Sequence, residues 1–275
     1  MLGVRDPPPP STAMNVSQDF SVSTKSISQT DWVHLVIGNE ACDLDSTVSA
    51  ITYAYHLSQK PHRGDEEVRT YIPVLNVPRS ELPLRTEVTH LLPECGVCLE
   101  NLVCRDEVAL ESLPNLSVTL VDHNVTVRRD AWLDSHVVEV IDHRPNARHD
   151  DGSRTISITL EMVGSCSTLV ARILLEEQAA ILDPNLIKLL LGTILLDNVN
   201  MSEAAGKKTA TDVDVADKLE ALCPSIDRQR LFGSVQAAKF DISVVNGNGI
   251  SAVTWLLVAV TRGMPFLHYN GVITA

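Results

Sequence analysis

At 275 residues, 44% of them apolar, the chain is long enough for one large or two modest domains with a real core. Its formal charge of -13 excludes a nonspecific nucleic-acid binder, which needs a basic surface, and leaves any anionic substrate dependent on metal ions or clustered arginines and lysines. Six cysteines and no secretory signal favour reduced thiols over a disulfide framework, and Cys95 to Cys98 is a lone CxxC without the second pair of a zinc site.

Residues 1–30 hold the run Pro7 to Pro10 and then many Ser and Thr with almost no apolar periodicity, the composition of a disordered leader. The leader has neither the apolar core of a signal peptide nor the arginines of a transit peptide. The chain is therefore expected in the cytoplasm, with passage into the nucleus by diffusion or on a partner also compatible. From Trp32 onward, short apolar runs alternate with helical patterns. Strands are expected at 33–37, 68–75, 102–104, 118–121, 137–141 and 156–160, and helices at 46–57, 167–177 and 184–195. This alternation predicts an α/β fold, a mainly parallel sheet flanked by helices. No GxGxxG follows the first strand, which argues against a Rossmann-type nucleotide site.

The first strand breaks at Gly38 and Asn39, and Asp43 and Asp45 then precede a helix. Either acid can simply cap that helix, or the two can bind a hard divalent cation through oxygen. Other segments end similarly: Arg105 and Asp106 follow one strand, Asp122, His123 and Asn124 another, Asp142, His143 and Arg144 a third, and Asp197 closes a later apolar run. In a parallel sheet the strand ends share one edge. Asp43, Asp45, Asp106, His123 and Asp197 can converge there, a ligand set suited to a pair of Mn2+ or Mg2+ ions.

The pieces GNEACDLDS, PVLNVPRSELPLR, RDE, VDHN, IDHRP, EMVGSCSTLV and GTILLDNVNM occur in this order from Gly38 to Met201. With these, the chain resembles the DHH phosphoesterase superfamily, and within it the Prune branch of exopolyphosphatase-like proteins. The resemblance implies a metal-binding DHH domain at 31–205, the start of a DHHA2-like substrate domain at 206–243, and an atypical apolar tail at 244–275. It implies Asp43, Asp45, Asp106, Asp122, His123 and Asp197 as metal ligands for two Mn2+ or Mg2+ ions. It further implies Asn124, His143 and Arg144 at catalytic positions and Asn39, Arg79 and Arg144 as substrate contacts. Asn124 lacks the proton-shuttling ability of an imidazole at that place in the motif.

The activity implied is metal-dependent hydrolysis of a phosphoanhydride or phosphodiester bond in short polyphosphate or a small nucleotide. The resemblance ceases at Ser243, so an incomplete second α/β domain is expected, and with it a competing reading: a catalytically silent form that acts on protein partners. The apolar run 250–260 is about half of what a membrane span needs.

Overall fold

The computed structural model describes residues 32–60, 69–148 and 154–241; the expected leader and the apolar tail lie outside them. Six strands form one parallel sheet: β1 (Trp32–Ile37), β2 (Arg69–Leu75), β3 (Val103–Cys104), β4 (Leu116–Val121), β5 (Val137–Asp142) and β6 (Ser157–Leu160). Their order across the sheet is β3-β2-β1-β4-β5-β6. The strands read as apolar runs because they are covered on both faces; Val33, Leu35, Val36 and Ile37 are all at most 1% exposed.

Among the described residues six α-helices accompany the sheet: α1 (Leu44–Ser58), α2 (Thr86–Glu94), α3 (Cys166–Glu177), α4 (Pro184–Asp197), α5 (Ala210–Leu222) and α6 (Arg228–Lys239). All six contribute to the core against one face, where Val36, Leu75, Val121 and Ile141 of the strands meet Ile51, Leu91, Leu169, Leu190, Leu219 and Val235. The opposite face, with Leu35, Val74, Val118 and Val140, is covered by short 310 segments that supply Leu110 and Leu133. Burying each such side chain contributes about 1.5–3 kcal/mol.

Local chemistry starts the helices where the sequence says they should start. Asp183 caps α4 by accepting from Leu186 N at 2.8 Å, with Pro184 in the first turn. Thr209 and Asp212 form a capping box at α5, and Asp227 caps α6 through Arg230 N at 2.9 Å. Helix α6 is fastened to α2 by Thr86 Oγ1 donating to the carbonyl of Ala238 (2.5 Å) and by His90 Nε2 hydrogen-bonded to Ser234 Oγ (2.6 Å).

All six cysteines are free thiols. Among the described residues no helix is long and apolar enough to cross a membrane. Asp197, which the sequence shows only as the end of an apolar run, is the last residue of the 14-residue helix α4 and not a strand end. The strand order reverses between β1 and β4, and in open parallel sheets the crevice outside the carboxyl ends at such a switch point is where ligands bind.

Candidate metal centre

The residues that leave β1 and β4 meet at that switch point. Gly38 runs so close beneath α1 that a Cβ there would lie 2.9 Å from both the Cβ and the carbonyl oxygen of Ser46; a side chain would push the loop off the helix. Asn39 N–H donates to Ser46 Oγ (3.1 Å), and the Asn39 side-chain amide donates to Asp122 Oδ2 (2.7 Å). Ser46 Oγ donates to the same oxygen at 2.6 Å. Asp43 caps α1, accepting from Ser46 N at 3.1 Å, so the capping geometry is present in addition to any other role.

Asp45, in the first turn of α1, is 4% exposed and lies against the start of α3. Its Oδ1 accepts from Ser165 Oγ (2.9 Å), Ser167 N (2.7 Å) and Ser167 Oγ (2.7 Å), and its Oδ2 from Cys166 N (2.7 Å). One oxygen is therefore saturated, while the other carries a single donor and faces the cluster. The first N–H groups of α3 have no intrahelical acceptor, which makes the helix start a natural seat for a carboxylate.

Asp122 follows β4 in a left-handed conformation (φ 60) and is 1% exposed. Its Oδ1 lies 2.6 Å from Arg144 Nη1 and 3.2 Å from His143 Nε2. His143, just after β5, has Nδ1 2.9 Å from the carbonyl oxygen of Val163. A carbonyl only accepts, so Nδ1 carries a proton, and Nε2 faces Asp122 and, at 3.9 Å, Asp45; these carboxylates favour a second proton on Nε2, whose place a bound cation would take. This arrangement of a backbone-anchored Nδ1 and an aimed Nε2 is typical of metal-ligating histidines. Nε2 is buried and forms no aligned hydrogen bond.

Ligand atoms of Asp45, Asp122 and His143 all lie within 4.8 Å of one another. Two further acids adjoin them electrostatically. Burial, and then repulsion from Asp45, raises the Asp43 carboxyl; burial, and then Asp45 and Asp43, raises that of Asp197 far above the usual carboxylate range. Asp45 is raised by burial and then by Asp122. Asp197 Oδ2 is buried without a hydrogen-bond partner. For His143, burial opposes the charged form, yet the Asp122 and Asp45 carboxylates outweigh it and hold the ring at about 9. Mutually repelling carboxylates, an orphaned carboxylate oxygen and an orphaned imidazole nitrogen form an oxygen-rich donor set that fits Mn2+ or Mg2+.

Of the residues singled out in the sequence, the structure thus brings Asp45, Asp122 and His143 together, with Asp43 and Asp197 near enough for Asp45 to raise their carboxyls. Asp106 is exposed in the 310 turn after β3, where it accepts from Arg79 N at 2.8 Å. His123 stands outside the cluster: its Nδ1 donates to the carbonyl of Val121 (2.9 Å), and burial lowers its pKa. Arg79 is held within the fold, donating to Glu107 (2.9 and 2.6 Å), to Leu99 O (2.8 Å) and to Leu102 O. The buried Asn124 amide donates to Asp142 Oδ2 (2.6 Å) and Pro145 O (3.0 Å) and accepts from Ala147 N (2.9 Å), which shapes the loop after β5. Arg144 is half exposed, with Nη1 on Asp122 and Asp142. A cavity of about 270 Å3 beside the cluster is lined by Asn39, Asn76, Asp122, His123, Asp130 and Arg144. Ser46, Ser165 and Ser167 hold the acids and were not foreseen; the signal available was the motif EMVGSCSTLV itself, which contains two of them.

The family model described as the DHH family, N-terminal domain, matches residues 34–195. The chain belongs to the DHH family. Among curated relatives in or near this family, exopolyphosphatase PRUNE1 of Bos taurus is 45% identical over 216 residues, covering 77% of this chain and 46% of the relative. A manganese-dependent inorganic pyrophosphatase of Methanothrix thermoacetophila is 29% identical over 210 residues, covering 75% of this chain and 60% of that protein. A solved structure from Methanococcus jannaschii, provisionally assigned as a family II inorganic pyrophosphatase, superposes with a TM-score of 0.54 at 24% identity, over 75% of this chain and 61% of that one. That likeness bears on the fold alone. The DHH chain spans about half the length of the PRUNE1 relative it matches.

Proposed function

We propose that this DHH chain is a metal-dependent phosphoesterase of the exopolyphosphatase type, acting on a phosphoanhydride or phosphodiester bond of short-chain polyphosphate or a small nucleotide. The observation that carries this reading is the convergence of Asp45, Asp122 and Nε2 of His143 at the β1/β4 switch point. These three would hold one Mn2+ or Mg2+ ion, and Asp43 and Asp197 would complete the donors for a second. Such a pair, when bound, supplies a water of lowered pKa and neutralises charge on phosphate oxygens. The names of the relatives, an exopolyphosphatase and a manganese-dependent pyrophosphatase, support the same chemistry.

The protein's own groups do the positioning. Arg144 is fixed at one nitrogen by Asp122 and Asp142 while about half of its side chain stays exposed at the cavity, where its remaining donors can take a phosphate oxygen. Asn39 and Ser46 hold Asp122 in place, so the acid does not swing when charge accumulates beside it. The acids that line the cavity are each ion-paired, Glu40 with Arg129, Asp130 with Arg105 and Arg129, and Asp122 with Arg144, so arginines as well as carboxylates border the space.

The test is phosphate release from short-chain polyphosphate by the purified chain with Mn2+ or Mg2+, using Asp45→Ala as the blank. Turnover that vanishes in the blank and in chelator supports the reading; equal turnover in wild type and Asp45→Ala refutes it.

A further inference from the structure

We propose that Asp212, remote from the cluster on helix α5, is a positioning residue for the metal centre: it clamps the backbone segment that aims Asp45. This inference rests on the reading of Asp45 as a metal ligand. Asp212 is fully buried, and its carboxylate accepts four hydrogen bonds from uncharged groups. Oδ2 takes Gly164 N (2.8 Å), Thr209 N (2.8 Å) and Thr209 Oγ1 (2.7 Å), and Oδ1 takes Thr168 Oγ1 (2.6 Å).

The geometry matters because Gly164 and Thr168 flank Ser165, Cys166 and Ser167, whose side-chain and backbone donors make four bonds to Asp45. Asp212 therefore grips both ends of the three-residue cradle. Capping α5 needs only the Thr209 side of the carboxylate; the bonds to Gly164 and Thr168 are not part of the cap. Bonds to an ionised acceptor are shorter and stronger than neutral ones, which suits a clamp, and groups that hold metal ligands in place typically change metal affinity 10–100-fold when replaced.

The experiment uses the full chain and two readouts. In Asp212→Asn the amide oxygen can keep Gly164 and Thr209, but an uncharged NH2 replaces the oxygen that takes the Thr168 proton, so the charge-assisted hold on the Thr168 end of the cradle is lost. Mn2+ affinity is expected to fall about 10–100-fold, with phosphate release recovering toward wild type at saturating Mn2+. In chelator, hydrogen exchange at the Cys166 and Ser167 amides is expected to quicken at least about tenfold. Thr209→Val removes only the cap side; it is expected to lower the Tm while leaving Mn2+ affinity and those two amides unchanged. Should Asp212→Asn fail to fold, Thr168→Val, which removes the Oδ1 bond alone, is expected to weaken Mn2+ and speed the same amides by a smaller factor. Equal protection of Cys166 and Ser167 in wild type and a clamp variant overturns the inference, as does unchanged Mn2+ affinity. A wild-type chain that binds no Mn2+ overturns the functional reading instead, and the exchange measurement still decides whether Asp212 holds the cradle.

Discussion

Replacing Gly164 by alanine should strike the point where the cradle meets helix α4. A Cβ at this position would lie 2.0 Å from Oδ1, 2.6 Å from Cγ and 2.8 Å from Nδ2 of Asn198. Asn198 is fully buried, and its side-chain amide donates to the carbonyl of Ile194 at 3.0 Å, so it has no free space to swing into. Either the Asn198 side chain leaves its bond or the backbone at Gly164 moves away from Asp212. Overpacking of this kind costs about 1–3 kcal/mol, and the lost hydrogen bond adds about 1 kcal/mol. The expected destabilisation is about 2–4 kcal/mol, or about 4–16 °C in Tm for a unit of this size.

Thermal and urea unfolding in chelator measure it. A double-mutant cycle isolates the cause, because in an Asn198→Ala background the clash is absent and Gly164→Ala should cost under about 1 kcal/mol. Gly164→Ala within about 0.5 kcal/mol of wild type, or a cycle without coupling, would refute the packing argument.

Three further outcomes are expected, at His34, Asp197 and Arg79. His34 lies buried in the sheet with Nε2 hydrogen-bonded to Thr119 Oγ1 (2.8 Å), and burial, followed by the Arg69 charge, lowers its pKa to about 4. The unfolded chain therefore takes up this proton first; its stabilising effect is complete above about 6.5 and is lost as pH falls toward 4, about 3 kcal/mol in all. Urea unfolding between pH 4 and 7 should show a pH slope that shrinks in His34→Leu, and an unchanged slope would contradict the burial argument. Asp197→Asn should leave stability in chelator equal or raised, since a carboxyl held high by burial and like charges opposes folding at neutral pH, while the Mn2+-induced rise in Tm shrinks or disappears; a full Mn2+ response would remove Asp197 from the ligand set. Arg79→Ala should lower stability by about 2–3 kcal/mol through the lost bonds to the Leu99 and Leu102 carbonyls, with Mn2+ affinity intact; a large rise in KM without destabilisation would restore it to the substrate.

The strands and the main helices were legible because a parallel sheet buried on both faces writes itself as β-branched apolar runs. Expected strand 33–37 is β1, and expected helix 184–195 is α4 within two residues of its end. The edge strand β3, only two residues long, still falls within the expected 102–104, whereas the 310 cover of the second face carries too little periodicity to be placed in this way. The location of the site was legible too, since acids after β1 and β4 must share an edge.

What the sequence leaves open is direction. Two histidines, His123 and His143, each follow an aspartate at a strand end and look alike as text. That His143 Nε2 is the one aimed at Asp122 and Asp45 is set by tertiary contacts the text does not carry. Arg79 is similar: as text it is a loop cation near a motif, and its bonds to the carbonyls of Leu99 and Leu102 appear only in the fold. Asp212 bears no local sign of its connection to Asp45, because the link passes through a segment more than forty residues earlier in the chain.

The proposed chemistry stands on a cation centre built on Asp45, Asp122 and His143 with Asp43 and Asp197 beside it. The most direct measurement is equilibrium binding of Mn2+ to the purified chain, by electron paramagnetic resonance of the free ion, for wild type and Asp122→Asn. The account predicts a pair of bound ions per wild-type chain and a loss of affinity of at least about 100-fold in the variant, because Asp122 lies between His143 and the donors of Asn39 and Ser46. No saturable binding to wild type, or the same isotherm for both proteins, would contradict it.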